Sequence, residues 1–242
     1  MPPTPQFLKL TPIEAVEYFR SKVNIPTEQW DQFSAEQHDF AYTVAGLTRA
    51  DLLEAMRFLI DQAIAEGTSF ETFLEQFDRS VVRRARETEA KLPVKLRTVF
   101  ETPVRRAYGA GRFKQMRSST VMRLRPFWIW RHRDSVVPRP NHLALHNKVF
   151  PGDSEFWDIA MPMCAFGCKC GAFSLSDRQV KERGLRVEQP PDPNTIADPG
   201  FRRAPGSSPQ EERQQVLRDG LERLSPEMRS QVEQDMRDRG LA

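Results

Sequence analysis

Apolar residues recur every three to four positions through much of the first half of the chain, the period of a helix buried on one face. The clearest stripe is Leu52, Leu53, Met56, Leu59, Ile60, Ala63 and Ile64, which opens after Thr48 and stops at Gly67. Upstream, Thr11-Pro12-Ile13-Glu14 has the form of a capping box with proline in the first turn. Ile13, Val16, Tyr18 and Phe19 then supply an apolar face. Trp30, Phe33 and Phe40 suggest a second short helix after Thr27. Ser69 starts another, with Phe70, Phe73, Leu74 and Phe77 on one side, running through basic residues to about Leu92, where Pro93 stops it. A helix to Glu101 follows. Thr102-Pro103 reads as the cap and first turn of the next, which reaches about Arg117.

The pattern changes at Met122. Phe127-Trp128-Ile129-Trp130 is aromatic and β-prone, and Ala172–Leu175 is a second short strand candidate. Ser176 caps a helix that ends at Gly184. Pro190, Pro191, Pro193, Pro199, Pro205 and Pro209 mark residues 189–209 as an extended, exposed connector. Beyond it, Val216, Leu217, Leu221, Leu224, Met228, Val232 and Met236 form a thin stripe suited to docking on a partner. The prediction is therefore an α+β protein. Residues 1–120 form a predominantly helical region, and 121–188 a small loop-rich α+β domain with short strands. A Pro-rich linker follows over 189–209, then a helical tail over 210–242.

Composition fits an elongated chain better than one tight globule. Hydrophobic residues are 39% of 242, below the roughly 45–50% usual for globular domains, a figure that also counts glycine. No apolar run approaches the ~18 residues of a membrane span. Met1-Pro2-Pro3-Thr4-Pro5 has no basic and then apolar stretch, so no signal peptide is expected. Three cysteines argue against a secreted disulfide scaffold and for a reducing site of synthesis.

The net charge of +3 hides an asymmetry. Residues 1–78 hold 5 basic and 13 acidic side chains, whereas 79–133 hold 16 basic and 3 acidic ones. The basic block suits phosphate or an acidic protein, although a solvated helix face gives the same composition. Arg83, Arg84, Arg105, Arg106, Arg112 and Lys114 are its candidate DNA contacts.

Cys164, Cys168 and Cys170 lie within seven residues, downstream of Asp134, His142 and His146. Three thiols and an imidazole suit Zn²⁺, and His142, Cys164, Cys168 and Cys170 make a Cys₃His set. Small buried thiols, or a disulfide formed after lysis, remain alternatives. His142 and His146 are four apart, but Leu143 stands where a zincin carries its glutamate. The H-x-E pattern of zinc deaminases is also missing. There is no G-x-S-x-G, P-loop or G-x-G-x-x-G, and Gly109-Ala110-Gly111 suits close helix packing better than a phosphate. No catalytic residues are assigned.

Four stretches together resemble the phage Mu F-like minor head proteins, also described as phage head morphogenesis proteins. Leu10–Lys22, followed by Phe40–Thr48, is similar to the family's opening and its F-T-V-A-G signature. Glu101–Arg112 is similar to T-N-x-x-x-A-Y-x-A-G-R, with Pro103 in place of the asparagine. Trp130, Asp134, Arg139-Pro140, His142, Leu145, Phe156-Trp157, Pro162, Gly167 and Cys168-Lys169-Cys170 fall in family-like order. Val136, Met163 and Lys169 depart from that pattern. Asp198-Pro199-Gly200-Phe201 and Pro205-Gly206 resemble the closing segment.

The resemblance implies a non-enzymatic virion protein inside the head, made in the host cytoplasm and acting in capsid assembly. Its implied partners are the portal, the major capsid or scaffold protein, and DNA bound without sequence preference. It strengthens a structural zinc on the Cys₃His set, with Asp134 or His146 as substitute ligand, Arg139 as an anchor for Asp134 or a backbone carbonyl, and Trp157 as core. The alternative is a metal-dependent nuclease or transferase built on Asp134, His142 and the cysteines.

Overall fold

Helix α1 spans Ile13–Arg20, preceded by Pro12. This computed structural model describes residues 12–241 apart from Val94, Asp134 and Val136, so Thr11 of the expected capping box lies outside the described residues. Ala15, Val16 and Phe19 are buried, while Ile13 is 62% exposed and not part of the apolar face. Strand β1 (Val23–Asn24) pairs in parallel with β2 (Ala41–Tyr42). Between them lie a 3₁₀ turn at Trp30–Gln32 and helix α2 (Ala35–Phe40). Ser34 and Gln37 close a capping box on α2, so the expected helix begins later than Thr27.

Helix α3 (Ala50–Glu66) buries the stripe read from the sequence and ends at Gly67 in the left-handed region, φ 71°. Arg57 on its inner face donates to the Phe19 and Arg20 carbonyls at 2.9 and 3.1 Å, satisfying the end of α1. Helix α4 (Phe70–Phe77) is capped by Ser69 and passes through a π-helical turn at Asp78–Val82 into α5 (Arg83–Glu87). The wider turn keeps Phe73, Phe77, Val81 and Ala85 on one buried face, where 3.6-residue turns would let a strict four-residue spacing drift.

Helix α6 runs unbroken from Leu96 to Arg117 with Pro103 inside it. Two helices separated at Thr102-Pro103 were expected. A proline removes one helical hydrogen bond and costs about 3 kcal/mol in a helix interior. Phe100 and Ala107, on either side of it, enter the same core as α1 and α3, and that packing carries the helix through. Gly109 and Gly111 are close-packing points. A Cβ would lie 3.2 Å from the Pro162 carbonyl at Gly109, and 3.2 Å from the Ala15 nitrogen at Gly111.

After α7 (Ser119–Leu124) comes a three-stranded antiparallel sheet, ordered β4-β3-β5. Its strands are β3 (Phe127–Arg131), β4 (Val149–Pro151) and β5 (Gly171–Leu175). Side chains alternate across β3. Trp128 and Trp130 face a core with Phe156 and Trp157, while Ile129 faces Val149, Leu175 and Val180. Helix α8 (Pro140–Ala144) joins β3 to β4, and α9 (Phe156–Ala160) follows β4. Helix α10 (Asp177–Glu182) carries a Ser176–Gln179 capping box. The chain is thus α+β.

The Pro-rich stretch is mostly exposed only over 189–195, and from Ile196 onward it packs against the protein. Ile196, Ala197, Phe201 and Ala204 are at most 5% exposed and pack into the tryptophan core. Gly206 and Ser208 donate their backbone N–H groups to Asp39 at 2.7 and 3.0 Å. This strap ties the sheet region to α2. Nor does the tail stripe await a partner: Leu217, Leu221 and Val232, on α11 (Arg213–Leu221) and α12 (Pro226–Asp238), cover Val23, Ile25, Phe33 and Phe40. No helix among the described residues is long and apolar enough to cross a membrane.

Candidate functional site

Pro140 opens α8 in its first turn, and the short helix turns His142 inward, where it is 2% exposed. Its Nε2 lies 3.0 Å from the Ile196 carbonyl on the strap. A carbonyl only accepts, so Nε2 carries the proton and Nδ1 presents its lone pair. Nδ1 is 3.6 Å from Cys168 Sγ and 3.8 Å from Cys170 Sγ. The three ligand atoms lie within 4.8 Å of one another. A tetrahedral zinc with bonds of about 2.0 Å to nitrogen and 2.3 Å to sulfur sets those atoms about 3.5 Å apart. The tautomer fits as well, since a metal-bound imidazole commonly donates its other N–H to a backbone carbonyl.

Cys164 is fully buried and sits at the opposite edge of the ring, 3.9 Å from Nε2. Of the sequence-predicted set, His142, Cys168 and Cys170 converge, with Cys164 offset from the side that Nδ1 faces. Hydrogen bonds from Cys164 and Cys170 hold the Cys168 thiol well below its ordinary pKa, against its burial and with help from His142. The same contacts, with burial, push Cys164 and Cys170 up. Burial works to lower the His142 pKa, but Cys168 and the Ile196 carbonyl together raise it above its ordinary value. The indole of Trp130 stands edge-on to His142 at 5.6 Å.

Asp134 lies outside the described residues. His146 is exposed and accepts from the His132 backbone N–H at 3.1 Å, away from the cluster. Arg139 donates to the Phe166 carbonyl at 3.0 Å and pairs with Asp198 at 3.7 Å. Trp157 is buried and donates to the Pro151 carbonyl at 3.0 Å. Sequence reasoning missed the Ile196 carbonyl and Asp198, although the closing motif Asp198–Phe201 marked the right segment. His142, Cys164 and Cys168 are at most 4% exposed, and Cys170 is half-buried.

The predicted DNA contacts differ in exposure and in pairing. Arg106 is 4% exposed, reaches the Arg203 carbonyl at 3.4 Å and lies over the Phe201 ring, so it is no DNA contact. Arg105 pairs with Glu101 at 3.5 Å and Lys114 with Glu17 at 3.4 Å. Arg112 covers Phe173 at 4.8 Å. Arg83 and Arg84 are exposed on α5.

Residues 54–173 match the family model described as "Phage Mu protein F like protein". The putative capsid assembly protein F of Escherichia phage Mu is 34% identical over 197 residues, covering 74% of this chain and 44% of that protein. The chain belongs to the phage Mu F-like family. The Mu-like prophage FluMu F protein of Haemophilus influenzae is 29% identical over 171 residues, 66% of this chain and 41% of that protein. This Mu F-like chain therefore spans under half the length of the curated relatives it matches. No solved structure matches it.

Proposed function

We propose that the chain is a minor head protein that acts in phage capsid assembly, inside the head and in contact with the portal or the capsid and scaffold proteins. The observation that carries this is its 34% identity to a relative named as a putative capsid assembly protein. The host cytoplasm is then where it meets its partners during assembly. Tagged full-length chain recovered from assembling heads should bring down the portal protein in near-constant ratio. Recovery of neither portal nor capsid protein would sink the reading.

Packaged DNA is the second proposed contact, narrowed by the geometry to the exposed cations around α5. Arg79, Arg83, Arg84, Arg86 and Lys91 are all exposed there. Such contacts read phosphate and not base sequence. Four of them give a slope of about −3.6 for log affinity against log salt. Reversing Arg83 and Arg84 to glutamate should flatten that slope by roughly half and weaken binding to any duplex alike. Filter binding across a salt series measures both, and affinity that is insensitive to salt counts against the proposal.

The third element is a structural Zn²⁺ held by His142, Cys168 and Cys170, with Cys164 beside them. When bound, the metal supplies a cross-link. The chain's own residues would set its geometry through the Ile196 carbonyl on His142. The site would fasten a loop-rich region where local secondary structure is short.

A further inference from the structure

Parts of the stretches that carry the family resemblance meet around a cavity of about 500 Å³. Phe40–Thr48 contributes Thr43, Val44 and Ala45, Glu101–Arg112 contributes Thr102, Pro103 and Arg106, and the loop before Cys168 contributes Phe166.

The lining is lopsided in charge. Lys22, Lys95 and Arg106 border the cavity, and no carboxylate does among the described residues. Arg106 is 4% exposed, and its Nε and Nη1 have no hydrogen-bond partner. The hydroxyls of Thr43 and Thr102, two more lining residues, are buried without partners too. Orphaned buried donors each cost about 1–3 kcal/mol, so a fold that gathers several of them around one space has a use for them. Lys22 is spoken for: its ammonium donates to the His38 and Asp39 carbonyls at 2.7 and 2.8 Å. Burial lowers its pKa to about 7, against the pull of Asp39. His38, pushed to about 3 mainly by burial, stays neutral and adds no positive charge.

The rest of the wall is apolar. Val44, Val99, Pro103 and Phe166 offer flat hydrocarbon surface, and Trp30 stacks on His38 at 3.5 Å beside them. A volume of this size falls in the usual range for small organic ligands, and apolar walls with a few converging polar groups are the usual construction.

We propose that this cavity binds a small organic anion, a carboxylate or phosphate group carried on a flat apolar body, with Arg106 and Lys95 facing the charge. Calorimetry on the full chain with 1-naphthoate, 1-naphthyl phosphate and the neutral 1-naphthalenemethanol tests it. At least one anion should bind at one site per chain, and about tenfold or more tighter than the alcohol. The preferred anion identifies the head group. Lys95 and Ala45 are exposed, so changes there spare the core. Lys95→Glu should weaken the anion by about tenfold, and Ala45→Trp should block binding, with thermal melting unchanged in both. Failure of both anions to bind, equal binding of the alcohol, or full binding by folded Ala45→Trp would overturn the proposal.

Discussion

His142→Ala is expected to release zinc and to lower stability by about 4 kcal/mol, before any contribution from the metal. The imidazole is 2% exposed, so its removal leaves a cavity beside Trp130. It also strands the Ile196 carbonyl, whose partner at 3.0 Å is lost. The proposed metal would keep Cys168 and Cys170 but lose the ligand that anchors it to the strap. Elemental analysis of the wild-type chain, purified without chelators, should find about one zinc per molecule, and the variant well under half. Equilibrium denaturation with and without added chelator separates the two effects. Chelation should destabilise the wild type and leave His142→Ala nearly unchanged. A wild type that is free of zinc and indifferent to chelator would leave only a packed histidine among thiols.

The sequence reveals such a cluster because thiols and imidazoles announce themselves by type. It cannot reveal Ile196 as the histidine's partner, since that partner is a backbone carbonyl and every residue has one. Local signals served well where they stand alone. Ser69 and Ser176 cap their helices as expected, and Gly67 ends α3. They failed where distant packing outweighs them. Thr102-Pro103 is a good helix start by local rules, yet Phe100 and Ala107 bind the flanking turns into one core. The prolines of 189–209 indicated an exposed connector, but Ile196 and Phe201 find their cover in tryptophan side chains far upstream. Strand β4 is three residues with a terminal proline, too short to register as a pattern.

Arg106 was legible in part. Thr102, Arg106, Gly109, Ala110 and Phe113 are all buried at helical spacing, so the arginine sits in the inward stripe of α6. Grouping it with Arg105 by charge alone hid that. Charge counts describe a segment, whereas periodicity decides which of its charges meet solvent.

Asp39→Ala should cost about 3–5 kcal/mol, the range for removing one partner of a buried charged network. Asp39 is 3% exposed. Its Oδ1 accepts from the Tyr18 hydroxyl at 2.8 Å and from the Gly206 N–H at 2.7 Å, and its Oδ2 accepts from the Ser208 N–H at 3.0 Å. Truncation orphans two backbone donors and a phenol, and leaves the buried Lys22 ammonium without the carboxylate that favours its charge. Asp39→Asn keeps one acceptor oxygen and should lose distinctly less. Amide hydrogen exchange at Gly206 and Ser208 should accelerate in Asp39→Ala before exchange in β3 does, because the strap opens first. The strap also carries the Ile196 carbonyl, so detaching one end loosens His142 at the other. The double variant with His142→Ala should therefore be less destabilised than the sum of the singles, by more than about 0.5 kcal/mol. Strict additivity would mean that the two attachments act independently, and that the strap does not transmit between α2 and the thiol cluster.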